Sequence, residues 1–252
     1  MKLVEEVQAL KGQITSLEQR LSEIRRGASR GGAVSEEDLR FLDSFGDADR
    51  FWAWHDHDTD ANRTIVEAGG KLTISIANGT NGNWWSTISN APHATVGMPG
   101  QPCIIETKIE SYTQNEDTMA MLVFFRNTSN ATSSHIYFGC IRDAIQGYGL
   151  QCGYAGNTWQ SSWGSPYNTL PMYLRIYMTS LGRGSNIQNA FSFKYSLDGS
   201  TWVDFHSDQI DNTWDTALYG LRGGLSAKNW GAFNAISAPF DYFKAWRSMG
   251  PG

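Results

Sequence analysis

From residue 41 onward the chain is written in short runs of alternating apolar and polar residues, and none of them carries a helical period. "KLTISIA", "CIIETKIESY", "MAMLVFFRN", "SHIYFGCI", "MYLRIYMTS", "AFSFKYSLDG" and "TWVDFHS" follow one another, and "LYGLRGGLS" and "FDYFKAW" close the series. Clusters of Gly, Asn, Ser and Asp separate them: "GTNGN", "NTSNATSS", "LGRGSN", "LDGS". A strand that alternates hides one face and wets the other, so many such strands in sequence must pair antiparallel and stack two sheets deep. The expectation is an all-β, antiparallel two-sheet sandwich over 41–247, followed by a short tail, 248–252. Asp198-Gly199 supplies the left-handed turn of one hairpin, and Gly69-Gly70 that of another.

The bulk numbers fit such a globule and exclude other classes. A chain of 252 residues with 40% hydrophobic content can bury roughly 70% of its unfolded surface in one core. Its net charge of −5 is no electrostatic footprint for nucleic acid. No apolar stretch approaches the ~18 residues that a membrane helix needs, so neither nucleic acid nor membrane insertion is expected. Three cysteines, an odd number, do not make a disulfide framework. Cys140 and Cys152 can face each other across a hairpin, but free buried thiols are the expectation.

The first 26 residues differ in kind. Leu3, Val7, Leu10, Ile14, Leu17, Leu21 and Ile24 step by alternating fours and threes. That is the seam of a parallel coiled coil, with Val7, Ile14 and Leu21 at a and the others at d. Self-association follows, a homotrimer favoured over a dimer because Leu21 and Ile24 reverse the usual a/d order. "GASRGGAVS" then reads as a flexible joint, and "SEEDLRFL" as a short helix capped by Ser35, together filling 27–40. The N-terminus has no apolar h-region, which predicts synthesis in a host cytoplasm without a signal peptide.

The order of the later pieces resembles the concanavalin A-like lectin/glucanase jelly roll, which includes laminin-G-like and family 16 glucanase domains. The pieces are "LDSFGDADRFWAW", "VEAGGKLTISI", "PMYLRIYMTS", "FSFKYSLDGSTW" and "APFDYFKAW". The resemblance implies glycan ligands in the concave groove or its rim loops. Aromatics beside Asn, Gln, Ser or Gly are the candidates to stack on sugar rings: Trp84, Trp85, Trp159, Trp163, Tyr167, Trp214 and Trp230. A self-assembling stalk, a joint and a lectin-like head together resemble a fibre, decoration or adhesin protein on a bacteriophage virion. The expected protein is therefore non-enzymatic, sits on the virion surface against capsid or tail proteins, and binds cell-surface or environmental glycans. Two alternatives stand beside it: a structural virion protein with no sugar ligand, and a divergent glycoside hydrolase using Glu106 and Glu110.

The glucanase branch carries Glu-x-Asp-x-(x)-Glu on one strand. The nearest match is "IIETKIESY", where Glu106 and Glu110 share a face but Lys108 stands where Asp is required, so no catalytic residue is expected. No cofactor is required either. "HDHDTDANRTIVEAGG" spaces Asp56, Asp58, Asp60, Asn62 and Glu67 like a calcium loop, but Ala61 replaces the turn glycine and a strand follows, so it reads as a solvated turn. What the resemblance implies instead is one structural calcium on the convex side, at positions matched by Asp241 and Gly69 or Gly70, with Asp43 nearby.

Overall fold

A computed structural model of the chain describes residues 40–46, 54–57, 59–83, 91–98, 102–112, 115–126, 135–154, 157–181, 188–211 and 221–247. The heptad positions Leu3 to Ile24, the joint after them, Trp84, Trp85, Trp214 and the tail 248–252 lie outside these residues. The described residues contain strands, turns and bends but no helix.

Among the described residues fifteen strands, numbered in chain order, form two sheets. The first runs β13 (Val203–Asp211), β12 (Gln188–Ser196), β11 (Met172–Leu181), β6 (Cys103–Ile109), β15 (Ile236–Arg247), β4 (Lys71–Ile76) and β3 (Arg63–Ala68), with β1 (Arg40–Asp43) also on β15. The second runs β10 (Asn157–Trp163), β9 (Gly147–Tyr154), β8 (His135–Asp143), β7 (Thr118–Arg126), β14 (Leu221–Asn229), β5 (His93–Gly97) and β2 (His55–His57). Local hairpins such as β3–β4 and β8–β9 alternate with long-range partners. β6 lies between β11 and β15, and β14 between β7 and β5.

Alternation decides the core. Leu72, Ile74 and Ile76 of β4 point inward with Met172, Leu174, Ile176 and Met178 of β11. They meet Ala120, Leu122 and Phe124 of β7, and Phe138 and Cys140 of β8, in one cluster between the sheets. Burying a Leu, Ile or Phe side chain is worth ~1.5–3 kcal/mol, so this single layer carries most of the folding drive. Cys103, Cys140 and Cys152 are buried free thiols. In the β8–β9 register Cys140 faces Leu150 while Cys152 faces Phe138, so the two sulfurs lie on different rungs.

Several strands depart from the expected alternation, among them β7, β8 and β14. In β7, Met119, Met121, Val123 and Phe125 are as buried as the residues between them. They belong to a second cluster on the far side of the sheet, with Ala91, Tyr137 and Ile141, against which Trp163 and Trp230 pack. "MAMLVFFRN" is in fact a continuous apolar run, as a strand covered on both faces requires. The turns behave as read: Gly69 and Gly70 take φ of 60° and 74°, and Gly199 takes 75°. Gly224 serves a different need, close approach, because a Cβ there would lie 1.9 Å from the carbonyl oxygen of Ala94 on β5.

In the acidic run, Asp60 caps its own turn. Asp60 accepts from the backbone N–H of Asn62 and Arg63 at 2.8 and 2.9 Å and from the Arg63 guanidinium. These bonds hold its carboxyl below the ordinary carboxylate range. Strands, not helices, flank it.

Candidate functional site

The outer face of the second sheet carries a cleft, and register explains its make-up. Lys228 of β14 sits opposite Met119, Met119 opposite Ile141, Ile141 opposite Gly149, and Gly149 opposite Trp163. One rung along run Ser226, Met121, Gly139, Gln151 and Ser161. Outward glycines make space for flat rings in this surface. A Cβ at Gly149 would come within 2.6 Å of the Trp163 indole, and one at Gly153 within 2.6 Å of the Tyr137 hydroxyl. Each ring lies down where its neighbour has no side chain.

The cleft encloses about 270 Å³ between Asn83, Ile141, Asp143, Gln151, Trp163, Lys228 and Trp230. Buried Asn229 builds one wall: its amide donates to Thr80 O and Asn234 O and accepts from Gly82 N–H at 2.8 Å, fixing the loop that carries Asn83. Asp143 caps the β8–β9 turn, accepting from the N–H groups of Ile145 and Gln146. Gln151 donates to Ser161 Oγ at 3.0 Å and accepts from the Tyr137 hydroxyl at 3.4 Å.

Lys228 is the unusual group. It is 3% exposed, with Nζ 5.3 Å from the Tyr137 ring centroid and 5.2 Å from that of Trp230. Removal from water penalises the ammonium and brings its pKa down to about 7. Near neutrality a fraction of the molecules therefore carries a neutral amine. Burial also pushes the Tyr137 phenol up to about 12, which keeps its proton in place. A row of rings extends from this point across the sheet: His135, Phe125, His93 and His57. His57 and His93 stack at 4.6 Å, and burial holds His93 neutral by lowering it to about 3.

The opposite outer face, on the first sheet, holds Glu106 and Glu110. Glu106 is a hub. Its Oε2 accepts from Arg175 Nε at 2.8 Å and from Nη2, and its Oε1 from the Tyr242 hydroxyl at 2.6 Å and from Lys244 Nζ at 3.4 Å. The Trp202 ring lies over Arg175 at 3.7 Å. Glu110 pairs with Lys108, which also reaches Asp241 at 3.2 Å. Four residues along a strand separate the two glutamates by about 13 Å. That exceeds the ~5–5.5 Å of a retaining pair and the ~6.5–9.5 Å of an inverting one. They are not a hydrolytic dyad.

Of the aromatic candidates, Trp163 and Trp230 meet at the cleft. Trp159 instead leans on the core, 5.8 Å from Phe193 and stacked on Tyr154. Tyr167 packs edge-on to Tyr195 at 5.5 Å, away from the cleft. The residues matched to a calcium site serve other partners. Asp43 accepts from the Phe45 N–H at 2.9 Å and from the Trp54 indole at 2.7 Å, Asp241 takes Lys108, and Gly69 makes the β3–β4 turn. Among the described residues no three His, Cys, Asp or Glu side chains converge. Lys228, Tyr137 and Gln151 escaped sequence reasoning. The available signal was the outward glycines of "GYGLQCGY", which mark a sheet face cleared for rings.

No family model and no curated protein matches the chain. Solved structures do share its fold. A xylan β-1,4-xylosidase from Bacillus halodurans C-125 aligns with a TM-score of 0.57 and 19% identity over 82% of this chain and 39% of its own. The GH43 protein BlXynB from Bacillus licheniformis aligns at 0.59 and 16%, with the same coverage of 82% and 39%. The alginate lyase Aly36B, in complex with an alginate trisaccharide, aligns at 0.54 and 10% identity over 84% of this chain and 98% of its own. The chain thus spans about two fifths of the length of the hydrolases. At these identities the likeness is one of fold, an all-β fold shared with carbohydrate-acting proteins. It corrects the expectation of a non-enzymatic virion lectin. The proteins found with this architecture are glycoside hydrolases and a polysaccharide lyase, which the alternative of a divergent glycoside hydrolase fits better than the virion lectin does.

Proposed function

We propose that the chain is a polysaccharide-cleaving enzyme unit that works in the cleft of the second sheet by β-elimination on a uronate-bearing glycan, with Lys228 as the base. The observation that carries this reading is the buried lysine, brought to about 7, between two aromatic rings on the cleft floor. A general base functions best when its pKa lies near the working pH.

The chemistry matches the side chains in place. Neutral Lys228 Nζ takes the proton from the sugar carbon beside the carboxylate. The released electron pair forms a double bond to the next carbon, the bond from that carbon to the glycosidic oxygen breaks, and the oxygen takes a proton from water in the open cleft. The amides of Asn83 and Gln151 are the donors that hold the substrate carboxylate, while Trp163 and Trp230 stack on sugar rings. Carboxylate-driven hydrolysis finds few parts here, because Asp143 is the single acid among the described lining residues and turn amides occupy its Oδ1. Coverage also favours elimination. The fold makes up 98% of the alginate lyase chain but 39% of the hydrolase chains.

The pH profile tests the base. The rate on a polyuronate is expected to rise with pH through about 7, as the amine loses its proton, and then level. A rate that is flat through neutrality, or falls, would remove Lys228 from the role.

A further inference from the structure

A second cavity, about 450 Å³, lies on the inner side of the same β8–β9 hairpin whose outer side floors the cleft. Ile141 and Gln151 line the cleft, whereas Cys140 and Tyr148 line this cavity. Neighbouring strand residues point to opposite faces, so one hairpin serves both spaces. Tyr112, just beyond β6, closes one wall, and Tyr167, Asn168, Thr169 and Leu170 close the other.

The walls combine flat rings with polar edges. Tyr148 is held from behind by Arg142, whose Nη1 donates to its hydroxyl at 2.9 Å and whose Cζ stands 4.9 Å from its ring centroid. Tyr167 is set edge-on to Tyr195. Asn168 and Thr169 are exposed at the rim, their backbone N–H groups tied to Gly164 O and Pro166 O. Tyr112 is 6% exposed, yet no described residue offers its hydroxyl a hydrogen bond. That oxygen is not among the buried polar atoms sealed off without partners, so it opens on the cavity it lines. Burial raises this phenol, which therefore remains a donor. A phenol this deep ordinarily has a partner. Water in the cavity, or a ligand hydroxyl that displaces it, can supply one.

We propose that this cavity is an accessory carbohydrate site that takes a sugar ring, with Tyr112 donating to a ring substituent and Tyr148 and Tyr167 lying against the ring faces. Its volume falls at the small end of the ~300–1,000 Å³ typical of ligand pockets, which suits one or two rings and not a chain. Among the described residues no carboxylate lines it, so acidic and neutral rings are both admissible, as free sugars or as the end of a longer glycan. The site stands independently of the chemistry assigned to Lys228.

Saturation-transfer NMR and calorimetry on the full chain test it, with methyl glucoside and methyl xyloside as probes, neutral rings without the carboxylate that the cleft is proposed to hold. At least one probe is expected to bind. Tyr112→Phe, which keeps the ring, should weaken it about 3–10-fold, and Leu170→Trp should fill the cavity and abolish binding, both with thermal melts close to wild type. Lys228→Met should leave this binding unchanged. No saturation transfer to any probe would overturn the proposal. So would equal affinity in wild type and Tyr112→Phe, or binding lost only in Lys228→Met, which would place the sugar in the cleft.

Discussion

Lys228→Met is expected to abolish polyuronate cleavage while making the fold more stable. Loss of a positioned general base costs on the order of 10²–10⁴ in rate, and methionine fills a similar volume without a charge. The stability effect follows from linkage. Lys228 falls from 10.5 to about 7 on folding, so between these values the unfolded chain holds a proton that the folded chain has released. Stability therefore rises with pH across that window, and below about 7 the full cost of the buried ammonium is present. Each unit is worth ~1.4 kcal/mol, while attraction to the Tyr137 and Trp230 rings returns ~0.5–2 kcal/mol each. The net gain on substitution is a few kcal/mol at pH 7, or roughly 5–10 °C in Tm for a domain of this size. The gain should shrink as pH rises towards 10.5, where the unfolded chain also begins to release this proton. An active Lys228→Met enzyme, or one less stable than wild type at pH 7, would contradict the assignment.

Glu106→Ala is expected to do the reverse, lowering stability and leaving the chemistry alone. It strips the shared acceptor from Arg175, Tyr242 and Lys244 at once. Breaking a buried ion pair costs ~3–5 kcal/mol. Here the cationic partners keep 18% and 29% side-chain exposure, so some charge is rehydrated and ~2–4 kcal/mol is the expected loss. Tm should fall by roughly 5–15 °C, visible in a thermal melt. Activity per folded molecule should hold, because Glu106 faces outward from the sheet that does not carry the cleft. A folded Glu106→Gln protein that has lost cleavage would instead return the reaction to the first sheet.

Much of the fold was legible because alternation is a local property. "KLTISIA" and "MYLRIYMTS" each announce one buried face, and Gly69-Gly70 announces its own turn. The second covered face was not legible in the same way. "MAMLVFFRN" shows that both sides of β7 are apolar, but not what rests on them, since that depends on strands and loops brought in by long-range pairing. The site suffers from the same limit. Trp163 and Trp230 stood out as aromatics among polar residues, and the structure brings these two to one cleft. Lys228 in "SAKNW" looks like any surface lysine on an alternating strand. Its depressed pKa arises only when β14 inserts between β5 and β7 and Tyr137 arrives from β8. Glu106 is the converse case. Its spacing to Glu110 is visible in the sequence, while the arginine, tyrosine and lysine that occupy its oxygens come from β11 and β15.

Elimination and hydrolysis differ in what they leave behind, and mass spectrometry of the products of a polyuronate digest reads that difference directly. Elimination gives new non-reducing ends lighter by one water than hydrolysis does, with a conjugated double bond that absorbs in the ultraviolet. Wild type is expected to yield these unsaturated ends from alginate or a related polyuronate, and Lys228→Met to yield none. Fragments of full, hydrated mass, or an undigested polymer with every polyuronate tried, would contradict a lyase site at Lys228.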